Sequence, residues 1–496
     1  MNTPYITPVP GRQLFVDDTL IESTDMQRIW HEPVPYQGNP VLKPETDIEM
    51  NNGIAPVATV FNDGCWFDPQ DQFYKLYYHT GWYTGTALAL SKDGIHWIRP
   101  DLGIVPGTNL LFQPDERRLR DGSLCWLDLQ SENPEERWKM FLYFRYPQEN
   151  REGGSLFTSA DGIHWRDRGE TGSLGDNSSF FRDPFQNKWC FSIRDYAEKI
   201  GRKRTLMYRD HFTGSPWNEV SGKNLQCDES DILEIPEPSC GEKGQLYDFN
   251  AAPYESLMLG VMAVFEGPEN NIALERGCPK TIHLHYAFSR NGENWFRPEQ
   301  RKPFLRCSRK ENTWNRGYLH AAGGIALVFQ DKIRFYYGGW SGKSTLGPGE
   351  CGPRRDESAV YASGSVGFAD LRRDGFASMR VTDGCGCLRT PLLKVKGKYL
   401  WINAAGKDLQ IELQDSSGVP LPGYAFEDCL CFSGDSVKYN VRWKNHSELP
   451  DVPELKVAFR LYSGDLYSFW FSETETGESG GYVAAGSQDY PGDRDI

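Results

Sequence analysis

Five segments of this 496-residue chain set an acidic side chain, or a stand-in, just ahead of a short apolar run that ends in a turn. They are Asp63-Gly-Cys-Trp-Phe-Asp68, Asp121-Gly-Ser-Leu-Cys-Trp-Leu-Asp128, Asp176-Asn-Ser-Ser-Phe-Phe-Arg-Asp183, Asp248-Phe-Asn-Ala-Ala-Pro-Tyr-Glu255 and the degenerate Tyr318-Leu-His320-Ala-Ala-Gly-Gly. Carboxylates crowded into a partly desolvated place repel one another, which lifts at least one pKa and lets that group keep a proton near neutrality. One acid can then protonate a departing oxygen, a second carboxylate can attack or activate water, and a third can hold hydroxyl groups. That division of labour breaks glycosidic bonds. It requires the four aspartates to converge, so the elements that carry them must be arranged around a common point.

The heptapeptide Ser91-Lys-Asp-Gly-Ile-His-Trp97 returns as Ser159-Ala-Asp-Gly-Ile-His-Trp165 and, loosened, as Ser289-Arg-Asn-Gly-Glu-Asn-Trp295. The Asp-Gly or Asn-Gly pair supplies a tight turn between strands, and the Trp is expected to fold back and seal its own unit. After each acidic segment comes an apolar or aromatic strand: Phe73 to His79, Trp138 to Phe144, Trp189 to Ile193, Leu257 to Phe265 and Ile333 to Tyr337. Five such modules, at intervals of roughly 50 to 70 residues, are what a five-bladed β-propeller writes. In that architecture the first strand of each blade lines the axis, so Asp63, Asp121, Asp176, Asp248 and His320 would face one another in a funnel.

The blade pattern ends near Asp374-Gly375. Beyond the Gly- and Cys-containing stretch at Gly384 to Cys387, alternating apolar and polar residues such as Leu455-Lys-Val457-Ala-Phe459 point to half-buried antiparallel strands. Strands are expected at Tyr399 to Asn403, Leu409 to Leu413, Ser436 to Trp443, Leu455 to Leu461 and Leu466 to Phe471. The reading is an all-β chain: residues 1–50 an N-terminal extension packed on the propeller, 51–383 the five-bladed propeller, and 384–496 a C-terminal β-sandwich with a flexible tail from Glu473.

The motifs resemble those of the five-bladed propeller glycoside hydrolases of families 32, 43, 68, 117 and 130, with family 32 closest in layout because it adds a C-terminal sandwich. Asn39-Pro-Val-Leu-Lys-Pro44 looks like the opening motif of that group, Phe61-Asn62-Asp63-Gly64 like its Asn-Asp nucleophile motif, and Arg120-Asp121 like its Arg-Asp motif. The resemblance implies that Asp63 is nucleophile or base and that Asp121 binds sugar hydroxyls and stabilises the transition state. The acid in those families is commonly a Glu from a later blade, whereas the matching place here is Asp176. Asp176 is therefore expected as the acid, with Glu255 and Glu266 in reserve. Phe265-Glu266-Gly-Pro268 resembles the family 43 acid motif, and Glu255 sits where turn duty is the plainer reading.

Around these acids, Asp248, His320, Arg194, Arg120, Trp82 and Trp340 are expected to touch substrate, with Tyr83 beside Trp82 as a further stacking face. Arg194 also suits a plain ion pair with Asp195. The expected activity is an exo-acting glycoside hydrolase acting on a terminal sugar, with a furanoside among the candidates. A phosphate-dependent phosphorylase is the alternative, with Arg194, Arg316 and His320 holding phosphate, and a non-catalytic carbohydrate-binding propeller is the competitor from another class. The two near-identical turns also resemble sialidase Asp boxes, but Arg120, Arg194 and Arg316 make no convincing carboxylate-grasping triad.

A formal charge of −14 opposes nucleic acid and anionic membranes as partners. No apolar run approaches the roughly 20 residues of a membrane span. Met1-Asn-Thr-Pro-Tyr-Ile-Thr-Pro lacks the basic and apolar regions of a secretion signal, so a cytoplasmic protein is expected. The Cys-x-Cys pairs at Cys385 and Cys387 and at Cys429 and Cys431 are too closely spaced for a usual zinc pair, and buried reduced thiols are expected. No cofactor is demanded, although the funnel carboxylates would suit a divalent cation. The sandwich offers a surface for homo-oligomer formation.

Overall fold

The computed structural model describes residues 5–53, 55–172, 174–198, 201–214, 217, 222–227, 244–342 and 360–496. The chain is all-β; among the described residues the α-helices are the short Asp47–Met50 and Asn270–Arg276. Strands dominate because the sequence alternates aromatic and β-branched runs with Gly, Pro and Asp turns, leaving few stretches at helical period.

Antiparallel units follow one another along the chain. The first holds Ala58–Asp68, Phe73–Thr80 and Gly85–Ser91; the second Leu119–Leu127, Trp138–Tyr146, Arg151–Ser159 and Arg166–Gly172. The third holds Ser179–Asp183, Lys188–Ala197, Gly201–Arg209 and Lys223–Leu225; the fourth Gln245–Glu255, Leu257–Gly267 and Thr281–Ser289. The fifth holds Gly317–Ala321, Lys332–Trp340 and Gly364–Arg372, with Val34–Pro35 added at its edge. Each unit packs against the next, and the fifth packs against the first, so the series closes. The leading strands are buried along their length because neighbouring units cover both faces. Asn62 in the first unit lies parallel to both Ser123 in the second and Ala322 in the fifth.

The recurring turns join units. Ser91 and Asp93 knit the first turn through 2.9 and 2.8 Å bonds to the amides of Gly94 and Ile95, and Ser159 with Asp161 repeats the pattern at the same lengths. Each turn glycine has positive φ, 68° at Gly94, 77° at Gly162 and 73° at Gly292. A tyrosine hydroxyl from the preceding unit donates to the carbonyl of that glycine: Tyr77 to Gly162 at 3.0 Å, Tyr208 to Gly292, and Tyr336 of the fifth unit to Gly94 of the first. Trp97 and Trp165 pack edge-on against the same tyrosines, Tyr336 and Tyr77. The expectation that the turn tryptophans seal their own units is corrected for these two, which close the seams between units, whereas Trp295 packs on Phe249 of its own unit at 4.8 Å as well as on Phe181 of the third at 6.0 Å.

A second core, with Phe15, Leu388, Leu400, Ile411, Phe459 and Phe469 at 0–1% exposure, lies among the C-terminal strands. Tyr399–Gln414 is one long strand where two were expected; its first half pairs with Ser463–Ser472 and its last residues with Glu454–Leu461, the change of partner falling near the positive-φ Asp408. This assembly begins before residue 384, because Ala377–Val381 already belongs to it. The N-terminal extension divides between the two bodies: Gln13–Leu14, Ser23–Thr24 and Gln27–Trp30 pair with C-terminal strands, and Val34–Pro35 and Leu42 join the fifth unit.

The tail from Glu473 is not loose. Tyr482–Val483 pairs with Tyr254 and Glu255, Ala485 accepts from the Phe67 amide at 3.1 Å and donates to Ala326 at 3.0 Å, and Val483 is fully buried. The segment thereby ties the first, fourth and fifth units at the ends of their leading strands. Its apolar residues, Tyr482, Val483, Ala485 and Tyr490, outweigh the Gly and Ser content that suggested disorder. Cys429 is buried, but Cys385, Cys387 and Cys431 are exposed, because Cys429 and Cys431 precede the strand Phe432–Asn440 and do not alternate within it. Among the described residues no group of three or more His, Cys, Asp or Glu side chains could hold a metal ion.

Candidate active site

At the end of the units opposite the tail lies a cavity of about 420 Å³. All five units contribute. The first supplies Phe61, Trp82 and Tyr83, the second Asp121 and Arg145, and the third Asp176, Arg194 and Arg202. Tyr247, Asn270, Leu274 and Lys280 come from the fourth unit and Tyr318 from the fifth, with Val360 and Tyr361 ahead of its last strand.

The acids reach this end through local irregularities. The ladder registers shift between Thr59 and Gly64, between Arg120 and Ser123, between Leu246 and Asp248, and between Gly317 and His320. In the third unit Asp176 precedes the strand, followed by Asn177 at φ 54°. Extra residues of this kind re-aim side chains, and they recur at every position where the sequence places an acid or its stand-in.

Asp121 and Asp176 are brought together by one guanidinium. Arg145 donates from Nε to Asp121 at 2.7 Å and from Nη2 to Asp176 at 3.2 Å, so the two carboxylates sit on neighbouring nitrogens of one planar group. Asp176 is also paired with Arg194. Two guanidiniums favour the ionised carboxylate, which is the wrong state for a proton donor. The expected role of Asp176 as acid therefore gives way to that of an anion, and the anticipated Arg194–Asp195 pair gives way to Arg194–Asp176.

Asp63 does not reach the cavity. It is fully buried, its Oδ1 paired with Arg120 and its Oδ2 accepting from the Phe61 amide at 2.6 Å. Burial outweighs the pull of Arg120 and raises its carboxyl to about 6. Arg120, itself bound to Thr86 at 3.1 Å, stands with Asp63 behind the wall, so neither is positioned as the nucleophile and substrate contact expected from the motifs. The left-handed Asn62 and Asp63, φ 70° and 35°, fold the carboxylate back onto its own backbone.

Asp248 and His320 form a polar layer under the floor. His320 Nδ1 is 3.9 Å from Asp248, and the ring is boxed by Phe61 at 4.5 Å and Tyr318 at 4.8 Å. Burial lowers the imidazole pKa, which keeps it neutral. Asn250 donates across this layer to Asn62 at 3.3 Å. Several polar atoms here, among them both His320 nitrogens and Asp248 Oδ1, have no hydrogen-bond partner among the described residues. Of the expected aromatic contacts, Trp82 lines the cavity, stacked 4.1 Å from Tyr361, and Tyr83 joins it, while Trp340 packs behind against Tyr318.

The reserve acids are elsewhere. Glu255 lies at the far end of its strand, bound to the Arg12 amide and Ser479 and paired with Arg373. Glu266 is buried 3.7 Å from His283, outside the lining. Arg316 pairs with Glu311 at 3.8 Å, also outside it.

Sequence reasoning missed Arg145, Arg202, Lys280, Tyr247, Tyr318 and Tyr361 as lining residues. One signal was available: Arg145 sits toward the end of the second strand of its unit as Phe-Arg-Tyr, just as the nominated Arg194 sits toward the end of its own as Ile-Arg-Asp. Lys280 carried no such sign, since the turn after Asn270–Arg276 delivers it.

No protein-family model matches the sequence, and no curated protein does. Solved structures similar to the chain include glycoside hydrolases. One assigned to that class from Parabacteroides distasonis shares 14% identity over 69% of this chain and 97% of its own, with a TM-score of 0.43. A fructofuranosidase from Schwanniomyces occidentalis shares 10% over 86% of this chain and 99% of its own, TM-score 0.40. A family-43 endo-arabinanase from Bacillus licheniformis shares 12% over 64% and 96%, TM-score 0.33. At these values the likeness carries no residue-by-residue correspondence.

Proposed function

We propose that this chain is a five-bladed propeller with a C-terminal β-sandwich that cleaves glycosidic bonds in the cavity, removing a terminal sugar. The observation that carries the reading is the pairing of Asp121 and Asp176, from successive units, on the single guanidinium of Arg145 in an enclosed, aromatic-walled cavity. Two carboxylates side by side suit attack on, or water activation at, an anomeric carbon, with the second stabilising the positive charge that develops there, while the departing oxygen takes its proton from water. Tyr83, half-buried on the wall, offers a face for a sugar ring, whereas Trp82 is held between Tyr361 and His79. The polar layer of Asp248, Asn250 and His320 below closes the cavity to a through-running chain, which favours exo action.

The test is release of free sugar from a panel of aryl furanosides, aryl pyranosides and oligosaccharides. Asp121→Asn and Asp176→Asn should each lower turnover by about 10²-fold or more, and Asp63→Asn, which touches no substrate, should lower it less. Sugar binding that persists with no turnover on any panel member would sink the hydrolase reading in favour of a binding propeller.

A further inference from the structure

Three cations gather around one tyrosine ring on the cavity wall. The Cζ atoms of Arg194 and Arg202 lie 5.7 and 5.5 Å from the centroid of Tyr247, and Nζ of Lys280 lies 5.3 Å from it. Two of the three have carboxylate partners. Arg194 pairs with Asp176, and Arg202 makes a fork of two 2.8 Å bonds to Glu269.

Lys280 has no carboxylate in salt-bridge range among the described residues. Among the described residues its Nζ makes one hydrogen bond, 3.2 Å to the Tyr361 hydroxyl, and the rings of Tyr318 and Tyr361 stand 4.8 and 5.4 Å away. The residue is only 3% exposed. An ammonium has three donors, and tyrosine faces attract its charge without accepting them all. A buried ammonium with donors unspent, set beside two guanidiniums that repel it, is costly unless an anion completes the group.

We infer that this wall is an anion subsite, in which Lys280, flanked by Arg194 and Arg202, receives a carboxylate or sulfate group carried on the sugar in the cavity. The sugar in that statement rests on the glycosidase reading above. Asp176 and Glu269 already answer two of the three cations, so among the described residues one positive charge remains to be met, which suits a monoanionic substituent better than free dianionic phosphate. Asp121 is close enough for its charge to act on Lys280, so the anion subsite and the carboxylate pair share one chamber. Burial, reinforced by Arg202, lowers the Lys280 amine to about 7. A docked anion favours the ammonium, so binding takes up a proton and strengthens as pH falls through that value.

Calorimetric titration of the full chain tests this with glucuronate, galacturonate and glucose 6-sulfate against their neutral parents, and with inorganic phosphate alone. Acidic sugars should bind about tenfold tighter than neutral ones at about pH 6, with the preference shrinking at about pH 8 as the amine loses its proton. Lys280→Met should abolish the preference, Lys280→Arg should keep most of it, and Asp121→Asn should keep it while losing turnover, which separates the subsite from the chemistry. Equal affinity for acidic and neutral sugars, absence of acidic-sugar binding, or a preference that survives Lys280→Met overturns the inference. Lys280-dependent binding of phosphate without acidic-sugar binding overturns the sugar-borne assignment. Should Lys280→Met fail to fold, the wild-type preference and its pH dependence decide.

Discussion

Asp63 and Asp121 occupy equivalent places in successive units, yet one is sealed behind Arg120 and the other opens on the cavity. Spacing marked both as convergent acids, but spacing does not reveal which way a bulged residue points. That is why the repeated acids were legible in the sequence and their division into wall and lining was not. Arg145, Arg202 and Lys280 were hidden for a related reason, since a cation reads as surface charge until its partners are placed around it. Asp63 has a measurable signature. Its carboxyl sits at about 6, above the ordinary carboxylate value of about 4. The folded state therefore holds a proton that the unfolded chain releases, and the resulting stability is full below about pH 4 and lost as pH rises through about 6. Denaturant titrations across that range should show wild-type stability falling by about 3 kcal/mol relative to Asp63→Asn; parallel profiles would contradict the assignment.

The strands were the most legible elements, because alternating and aromatic runs bounded by turn residues name them directly. All five second strands expected from sequence are present, and the C-terminal strands differ mainly in length. What the sequence concealed was the partner of each turn. The Asp-Gly signal fixes the turn's own backbone, whereas the tyrosines that clasp it, Tyr77, Tyr208 and Tyr336, lie far off in the chain on other units. Each hydroxyl satisfies a glycine carbonyl at a seam. Tyr77→Phe should therefore cost about 1–3 kcal/mol by leaving the Gly162 carbonyl unpaired, read as a lower midpoint in urea with an unchanged slope, and Tyr208→Phe and Tyr336→Phe should cost less, because Trp295 still donates to Gly292 at 3.1 Å and Arg334 to Gly94 at 3.4 Å. A neutral result at all three would mean the seams are held by apolar packing alone.

Across the whole molecule, a buried ionic group locks the units to the C-terminal strands. Arg12 donates to Asp374 at 3.0 Å, Arg373 pairs with Glu255, and Tyr254, Ser468 and Ser479 add bonds of 2.6, 2.6 and 2.7 Å. The N-terminal segment, the fourth unit, the joining residues and the tail meet there. Sequence distance hid this arrangement, because its members are separated by up to hundreds of positions and each reads alone as a surface charge. Removing one charge leaves its partners buried and unanswered, so Glu255→Gln should destabilise by about 3–5 kcal/mol while leaving ligand affinity at the distant cavity unchanged; a calorimetric melt paired with a binding titration checks both. The tail that crosses the far ends of the leading strands has a kinetic meaning as well. With that side covered, turnover of the kind proposed here would send product out along the path the next substrate needs, so competitive inhibition by product is the expected signature.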